Sequence, residues 1–251
     1  PGFPRLLQVQ AVVICRKTQH LQKICRTKNS MTRPASPPII RRRFQHFYKP
    51  GKKIAKSRNW DEKLNDITKK APDWDIGIIV GVPAWIQILM EKIIAYHQVE
   101  SIHDIWPNLS VYVHGGVSID PYRKGFDKLF GNKVHYIETY LASEGFIAFQ
   151  AYPDRRSMRL VLNNGIFYEF VPFNESNFDP EGEIREDAKT LCINDVEEGV
   201  EYALLMSSCA GAWRYLIGDV IKFTSLAESE IIITGRTKHF LSLCGEHLSV
   251  D

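Results

Sequence analysis

"DIGIIVGVPAWIQILMEKIIAYH", residues 75–97, joins two elements of different period across a proline. "DIGIIVG" (75–81) is short, apolar and β-branched, the pattern of a strand buried on both faces. Pro83 brings a fixed φ and no backbone N–H, which suits the first position of a helix, so the spacing predicts a helix over "AWIQILMEKIIAYH". Upstream, "NWDEKLNDITKKA" offers Asn59 as an N-cap with Glu62 three residues on, and Trp60, Leu64, Ile67 and Ala71 recur at helical spacing. Downstream, "LSVYVHGG" (109–116) reads as a second strand, "PYRKGFDKLFG" as a short amphipathic helix and "VHYIETY" as a third strand. Strand, helix, strand, helix, strand at this spacing predicts a parallel α/β sheet over about residues 59–144.

From Gly145 to residue 251 the pattern is mainly antiparallel. "RLVLNNGIFYEFVPF" (159–173) holds Asn-Gly between two strand-like runs, which predicts a hairpin. "EYALLMSS", "AWRYLIGDVIKF" and "SEIIITGR" continue as short strands with turns between them.

The charge is divided unevenly. Residues 1–60 carry 15 Lys/Arg and no acid, whereas residues 61–251 carry 17 basic and 29 acidic residues. Residues 1–48 lack a sustained period and read as a disordered or non-homologous leader. A basic arm for nucleic acid and a transit peptide are the functional alternatives to a leader without function. Order is expected from about Tyr48, giving a partial domain over 49–251. Five cysteines without paired spacing favour a reducing compartment, so the expected location is cytoplasmic. The longest apolar run, 15 residues from Ile76 and broken by Pro83, is too short to span a bilayer. The chain opens on Pro1 and stops after "GEHLSVD", which reads as a fragment.

No dinucleotide fingerprint, Walker-type phosphate loop, nucleophile elbow or zinc-ligand spacing is present. Polar groups do collect where three buried-strand patterns end: "HGG" (114–116), "YLASEG" (140–145) and "IGDV" (217–220). Each alone reads as a turn. Together they fit a nucleotide, because ligands gather beyond the carboxyl ends of strands in open α/β sheets. An aromatic face suits adenine, one carboxylate suits Mg²⁺ bridging phosphates, and a second suits a ribose diol.

"GVPAW", "WPNL", "VHGGV", "PYRKGF", "YIETYLASEGF", "NNGIFYEFVPF", "WRYLIGDVIKF" and "TGRTKHFLSLCGEHL" occur in this order from residue 81 onward. In them residues ~49–251 resemble the middle of the Gretchen Hagen family of acyl-acid amido synthetases, part of the adenylate-forming superfamily. The resemblance implies part of a luciferase-like large domain: a parallel α/β sheet followed by mainly antiparallel strands. It implies activation of a carboxylic acid by ATP and Mg²⁺ to an acyl-adenylate, then attack by an amino acid to give an amide and AMP. Carried over by motif, Tyr140 would stack on adenine, Ser143 would bond the α-phosphate and Glu144 would hold Mg²⁺. Gly115 and Gly116 would line the adenine side, Asp219 would bind the ribose hydroxyls, and Arg236 would support the same end of the nucleotide. Lys238 would be the hinge to a mobile C-terminal domain, and Val82 and Trp85 would wall the acyl pocket, with plain core packing as their alternative. A monomer without membrane contact is implied.

The chain departs from the family pattern in two ways. Plant members usually carry two serines before the motif glutamate, and "LASEG" keeps only Ser143. The Ser/Thr/Gly-rich phosphate loop expected upstream is not found in residues 1–58, and the mobile domain would follow residue 251. This chain by itself is therefore expected to have little or no ligase activity. A second reading, from the basic leader, is a non-catalytic scaffold with a nucleic-acid-binding arm. Tyr140, Glu144, Asp219 and Arg236, four polar groups at sheet ends, rank it lower. Neither the acyl nor the amino acid substrate is legible.

Overall fold

In the computed structural model of the chain, the described residues are 12–15, 47–55, 57, 59–238, 240–243 and 246–249. They fall into two compact units, 1–136 and 137–251.

In the first unit, β1 (Val12–Cys15), β2 (Tyr48–Lys49), β3 (Ile76–Val80) and β4 (Val111–Gly115) lie in the order β2-β1-β3-β4. β3 and β4 are parallel, with Ile78 opposite Val111 and Val80 opposite Val113. β1 runs antiparallel to β3, placing a strand within the stretch that the sequence reading leaves without a period. Of the rest of the basic leader only residues 47 and 48 are described, and its other residues lie outside the described ones. Helices α1 (Trp60–Lys70), α2 (Pro83–His97) and α3 (Asp120–Leu129) supply the other layer. Asn59 caps α1 as expected: its Oδ1 accepts from the N–H of Asp61 at 3.0 Å and of Glu62 at 3.2 Å, two donors that have no partner inside the helix. Pro83 takes the first turn of α2. Ile79 of β3, Ile86 and Met90 of α2, Tyr112 of β4 and Phe126 of α3 form one buried core.

The second unit holds seven antiparallel strands in the order β5-β6-β7-β11-β10-β9-β8. They are β5 (His135–Ala142, whose first two residues precede the unit boundary), β6 (Gly145–Phe149), β7 (Met158–Leu160), β8 (Ile166–Pro172), β9 (Glu201–Ser208), β10 (Tyr215–Ser225) and β11 (Glu230–Arg236). A separate pair, β12 (Phe240–Leu243) and β13 (Glu246–Ser249), follows. Tyr168, Phe170, Tyr202, Met206, Ile221 and Phe223 build the core beneath the large sheet.

The Asn-Gly hairpin is corrected. Asn164 and Gly165 do turn the chain: Gly165 has φ +80° and the N–H of Ile166 donates to Asn164 Oδ1 at 3.1 Å. The flanking strands are not partners, however. β7 pairs with β6 and β11, and β8 pairs with β9. Asn164 instead donates from Nδ2 to the Phe146 carbonyl at 2.7 Å and to the Tyr168 hydroxyl at 3.2 Å, so its amide binds two other strands. A local turn signal sets the reversal, and side-chain burial across the sheet sets the partner.

Candidate nucleotide site

Asp219 lies where β10 is irregular on both sides. Against β9, Leu216 faces Leu205 and Val220 faces Ala203, so Ile217, Gly218 and Asp219 together face only Leu204. Against β11, Val220 faces Gly235 while Ile221 faces Ile233, leaving Thr234 as the extra residue. Bulges of this kind re-aim side chains and recur beside functional sites. Gly218 takes φ +86°, a region that suits glycine. Its carbonyl accepts from the Thr237 N–H at 2.9 Å, tying the end of β11 to the turn before Asp219.

The Asp219 side chain is only 9% exposed, and each oxygen has a partner. Tyr140 donates from its hydroxyl to Oδ2 at 2.5 Å, and Arg236 from Nε to Oδ1 at 2.9 Å. Asp219 and Arg236 are a cross-strand pair of β10 and β11, whereas Tyr140 arrives from β5. Burial, and then the Asp219 charge, push the Tyr140 hydroxyl far above its ordinary pKa, so it stays protonated and acts as a donor. Tyr140 is itself 6% exposed and packs with Ile147, Ala148 and Leu160 in the core.

Ser143 and Glu144 form the two-residue turn between β5 and β6, closed by the Ala142–Gly145 pair. Ser143 is exposed and Glu144 half-buried. Among the described residues, no side chain pairs with the Glu144 carboxylate. A hard oxygen ligand of this kind suits Mg²⁺, which takes one or two protein carboxylates and fills its octahedron with waters and phosphate oxygens. No cluster of three or more His, Cys, Asp or Glu able to hold a metal occurs among the described residues, so any such ion would lean on its substrate for ligands.

Lys238 follows directly and ion-pairs with Glu183. Glu183 sits on a loop tip where Gly182 presses on Thr237: a Cβ added at Gly182 would stand 2.0 Å from the Thr237 carbonyl oxygen. Gly182, Glu183 and Thr237 were not singled out from the sequence. "PEGE" (180–183) signals a turn there, and no local pattern tells which distant strand the turn touches.

The remaining expected site residues lie in the first unit. Gly115 ends β4, and Gly116 has φ +84° with open space where a Cβ would be. His114, just before them, is buried against the rings of Tyr112 and Tyr136. Its pKa is lowered to about 4, first by burial and then by Arg123. Val82 is the N-cap residue of α2. Trp85 packs edge-on against Trp60 with ring centroids 4.9 Å apart, and its buried Nε1 has no acceptor among the described residues. The structure thus brings Tyr140, Asp219 and Arg236 into contact and places Ser143 and Glu144 on the hairpin that Tyr140 leads into.

Two sequence profiles match the chain: the GH3 family N-terminal domain over residues 49–135 and the GH3 family central domain over residues 159–233. The chain belongs to the GH3 family. This is the Gretchen Hagen family named from the motifs. Among relatives of this GH3 chain, the jasmonoyl--L-amino acid synthetase GH3.5 of Oryza sativa subsp. japonica is 29% identical over 138 residues, covering 50% of this chain and 23% of the relative. The indole-3-acetic acid-amido synthetase GH3.2 of Arabidopsis thaliana is 28% identical over 135 residues, covering 51% and 24%. The chain therefore spans about a quarter of the length of these curated relatives.

Among solved structures, the GH3.15 acyl acid amido synthetase superposes with TM-score 0.53 at 12% identity over 78% of this chain and 43% of its own. A 2-hydroxyisobutyryl-CoA ligase, solved with 2-HIB-AMP and CoA, gives 0.52 at 13% identity over 76% and 39%. The GH3 chain has the fold of adenylate-forming enzymes: a mixed sheet, parallel and then antiparallel, with few helices. Among its described residues, no helix is long and apolar enough to cross a membrane.

Proposed function

We propose that this chain is part of an ATP-dependent acyl-acid amido synthetase. In the first half-reaction a carboxylate oxygen attacks the α-phosphorus of ATP, the bond to the β-phosphate breaks, and pyrophosphate leaves. In the second, the amine of an amino acid attacks the acyl carbon, the bond to AMP breaks, and the amine proton passes to solvent. The observation that carries this reading is the Tyr140–Asp219–Arg236 contact, three residues from a turn that presents Ser143 and a Glu144 carboxylate with no side-chain partner among the described residues.

In this reading Asp219 accepts the ribose hydroxyls, with Arg236 holding its orientation from the neighbouring strand. Ser143 donates to the α-phosphate. Glu144 holds Mg²⁺, which supplies charge neutralisation at the departing pyrophosphate. Gly115 and Gly116 leave backbone open to the base, and Val82 and Trp85, at the start of α2, face the acyl group. Lys238 marks the hinge by which adenylation and amide formation take turns. The protein would act as a monomer in the cytoplasm, on carboxylic and amino acids.

The test is exchange of labelled pyrophosphate into ATP by the full-length protein, dependent on an added carboxylic acid. Exchange that disappears in Glu144→Ala supports the reading. Exchange that persists unchanged in that variant removes Glu144 from the metal role, and no exchange by the full-length protein with any carboxylic acid removes the adenylation reading.

A further inference from the structure

Two groups assigned to the nucleotide are spent on each other. The Tyr140 hydroxyl occupies Asp219 Oδ2, and Arg236 occupies Oδ1. A carboxylate offers about four lone-pair sites, so two are formally left over. With 9% of the Asp219 side chain exposed, no sugar reaches them while Tyr140 stays in place. The Tyr140 ring, 6% exposed and packed in the core, likewise has no open face for a base.

We infer that Tyr140 is a plug: the ribose diol enters by displacing its hydroxyl from Asp219, and the same movement carries the ring out to where an adenine can stack on it. The inference rests on the nucleotide reading above. One displacement creates both subsites, which explains how a single tyrosine is buried in this structure and still serves as a stacking platform. The exchange is nearly balanced at the carboxylate, since phenolic and ribose hydroxyls both give charge-assisted O–H donors. Arg236 keeps Oδ1 throughout, so Asp219 is never left as a bare buried charge. The register of β5 against β6 also shifts at this point. β5 pairs Tyr140 with Ala148 but Leu141 with Phe146, leaving Ile147 of β6 as the extra residue of a bulge opposite Tyr140.

A plug lowers apparent affinity in proportion to the fraction of molecules that are open. Adenosine 5′-monophosphate is the probe, because it carries the base and diol and needs neither metal nor pyrophosphate. Its dissociation constant is measured by calorimetry for the chain and for Tyr140→Phe, which keeps the ring and loses the hydroxyl. The expected result is roughly tenfold tighter binding by Tyr140→Phe. A 2′,3′-dideoxy analogue is expected to bind both forms more weakly than the parent nucleotide. Equal or weaker binding of the monophosphate by Tyr140→Phe overturns the plug while leaving the nucleotide site standing. Binding without discrimination against the dideoxy analogue, or no binding by either form, overturns the nucleotide reading and the plug with it. If Tyr140→Phe does not fold, the association rate of the wild-type chain decides. A rate that reaches a plateau as nucleotide rises supports a plug that must open first, and a linear rise into the ~10⁷ M⁻¹s⁻¹ range overturns it.

Discussion

Arg236 Nε stands 2.9 Å from Asp219 Oδ1, and the two residues face each other across β10 and β11. The pair is asymmetric: the carboxylate is enclosed, while the guanidinium is 35% exposed. Removing the arginine leaves a buried charge to which the Tyr140 hydroxyl still donates. Arg236→Ala is expected to cost about 1–2 kcal/mol, reduced from the figure for a fully buried pair because solvent screens the exposed partner. The shift in the urea midpoint at constant slope checks it. An unchanged midpoint would mean that water replaces the guanidinium without penalty.

Gly182 and Gly165 have nearly the same backbone, φ +78° and +80°, in different surroundings. A Cβ at Gly165 meets open space, whereas one at Gly182 meets the Thr237 carbonyl at 2.0 Å. Gly165→Ala should therefore cost only the left-handed strain, about 1–2 kcal/mol. Gly182→Ala adds a backbone clash and should cost about 3–5 kcal/mol in total. It should also weaken nucleotide binding, because Thr237 follows Arg236 and bonds to Gly218. Equal costs for the two variants, read from denaturation midpoints, would refute the close approach.

His114 gives the first unit an acid-sensitive element. Its pKa is lowered to about 4 by burial and by Arg123, with Asp120 acting the opposite way. The folded state holds this histidine neutral, so once pH drops below the ordinary value of about 6.5 the unfolded chain binds the extra proton. Stability from this group is complete above about 6.5 and is lost as pH falls towards about 4, at up to ~1.4 kcal/mol per pH unit. His114→Gln should flatten that slope. Tryptophan fluorescence during urea unfolding at pH 7 and pH 5 reads it, because Trp60, Trp74, Trp85 and Trp106 all lie in this unit.

Glu144 separates function from stability. No partner among the described residues depends on its carboxylate, so Glu144→Gln should change stability by no more than about 0.5 kcal/mol. Carboxylate-dependent pyrophosphate exchange by the full-length protein should fall about a hundredfold or more, as expected when one stabiliser of the leaving charge is removed. A variant that loses exchange and stability together would point to a structural role instead.

Much of this protein was legible from local patterns. Asn59, Pro83 and the apolar run of β3 announced α1, α2 and the strand before them, because caps, proline geometry and burial periods act within a few residues. Membership of the GH3 family was legible for the same reason: motifs such as "YIETYLASEGF" are contiguous. Asn164 marks where that legibility stops. Its turn formed, yet its amide binds β6 and β8, and the strand before it joined β11.

The sequence by itself determined most of the elements from α1 onward, the family and the residue types a nucleotide would need. Only the tertiary structure decided that Tyr140 and Asp219, separated by 79 positions, satisfy one another, and that Gly182 braces the residue after Arg236. Strand register and bulges aim these side chains, and both arise from burial summed over a whole sheet, which no window of neighbouring residues contains.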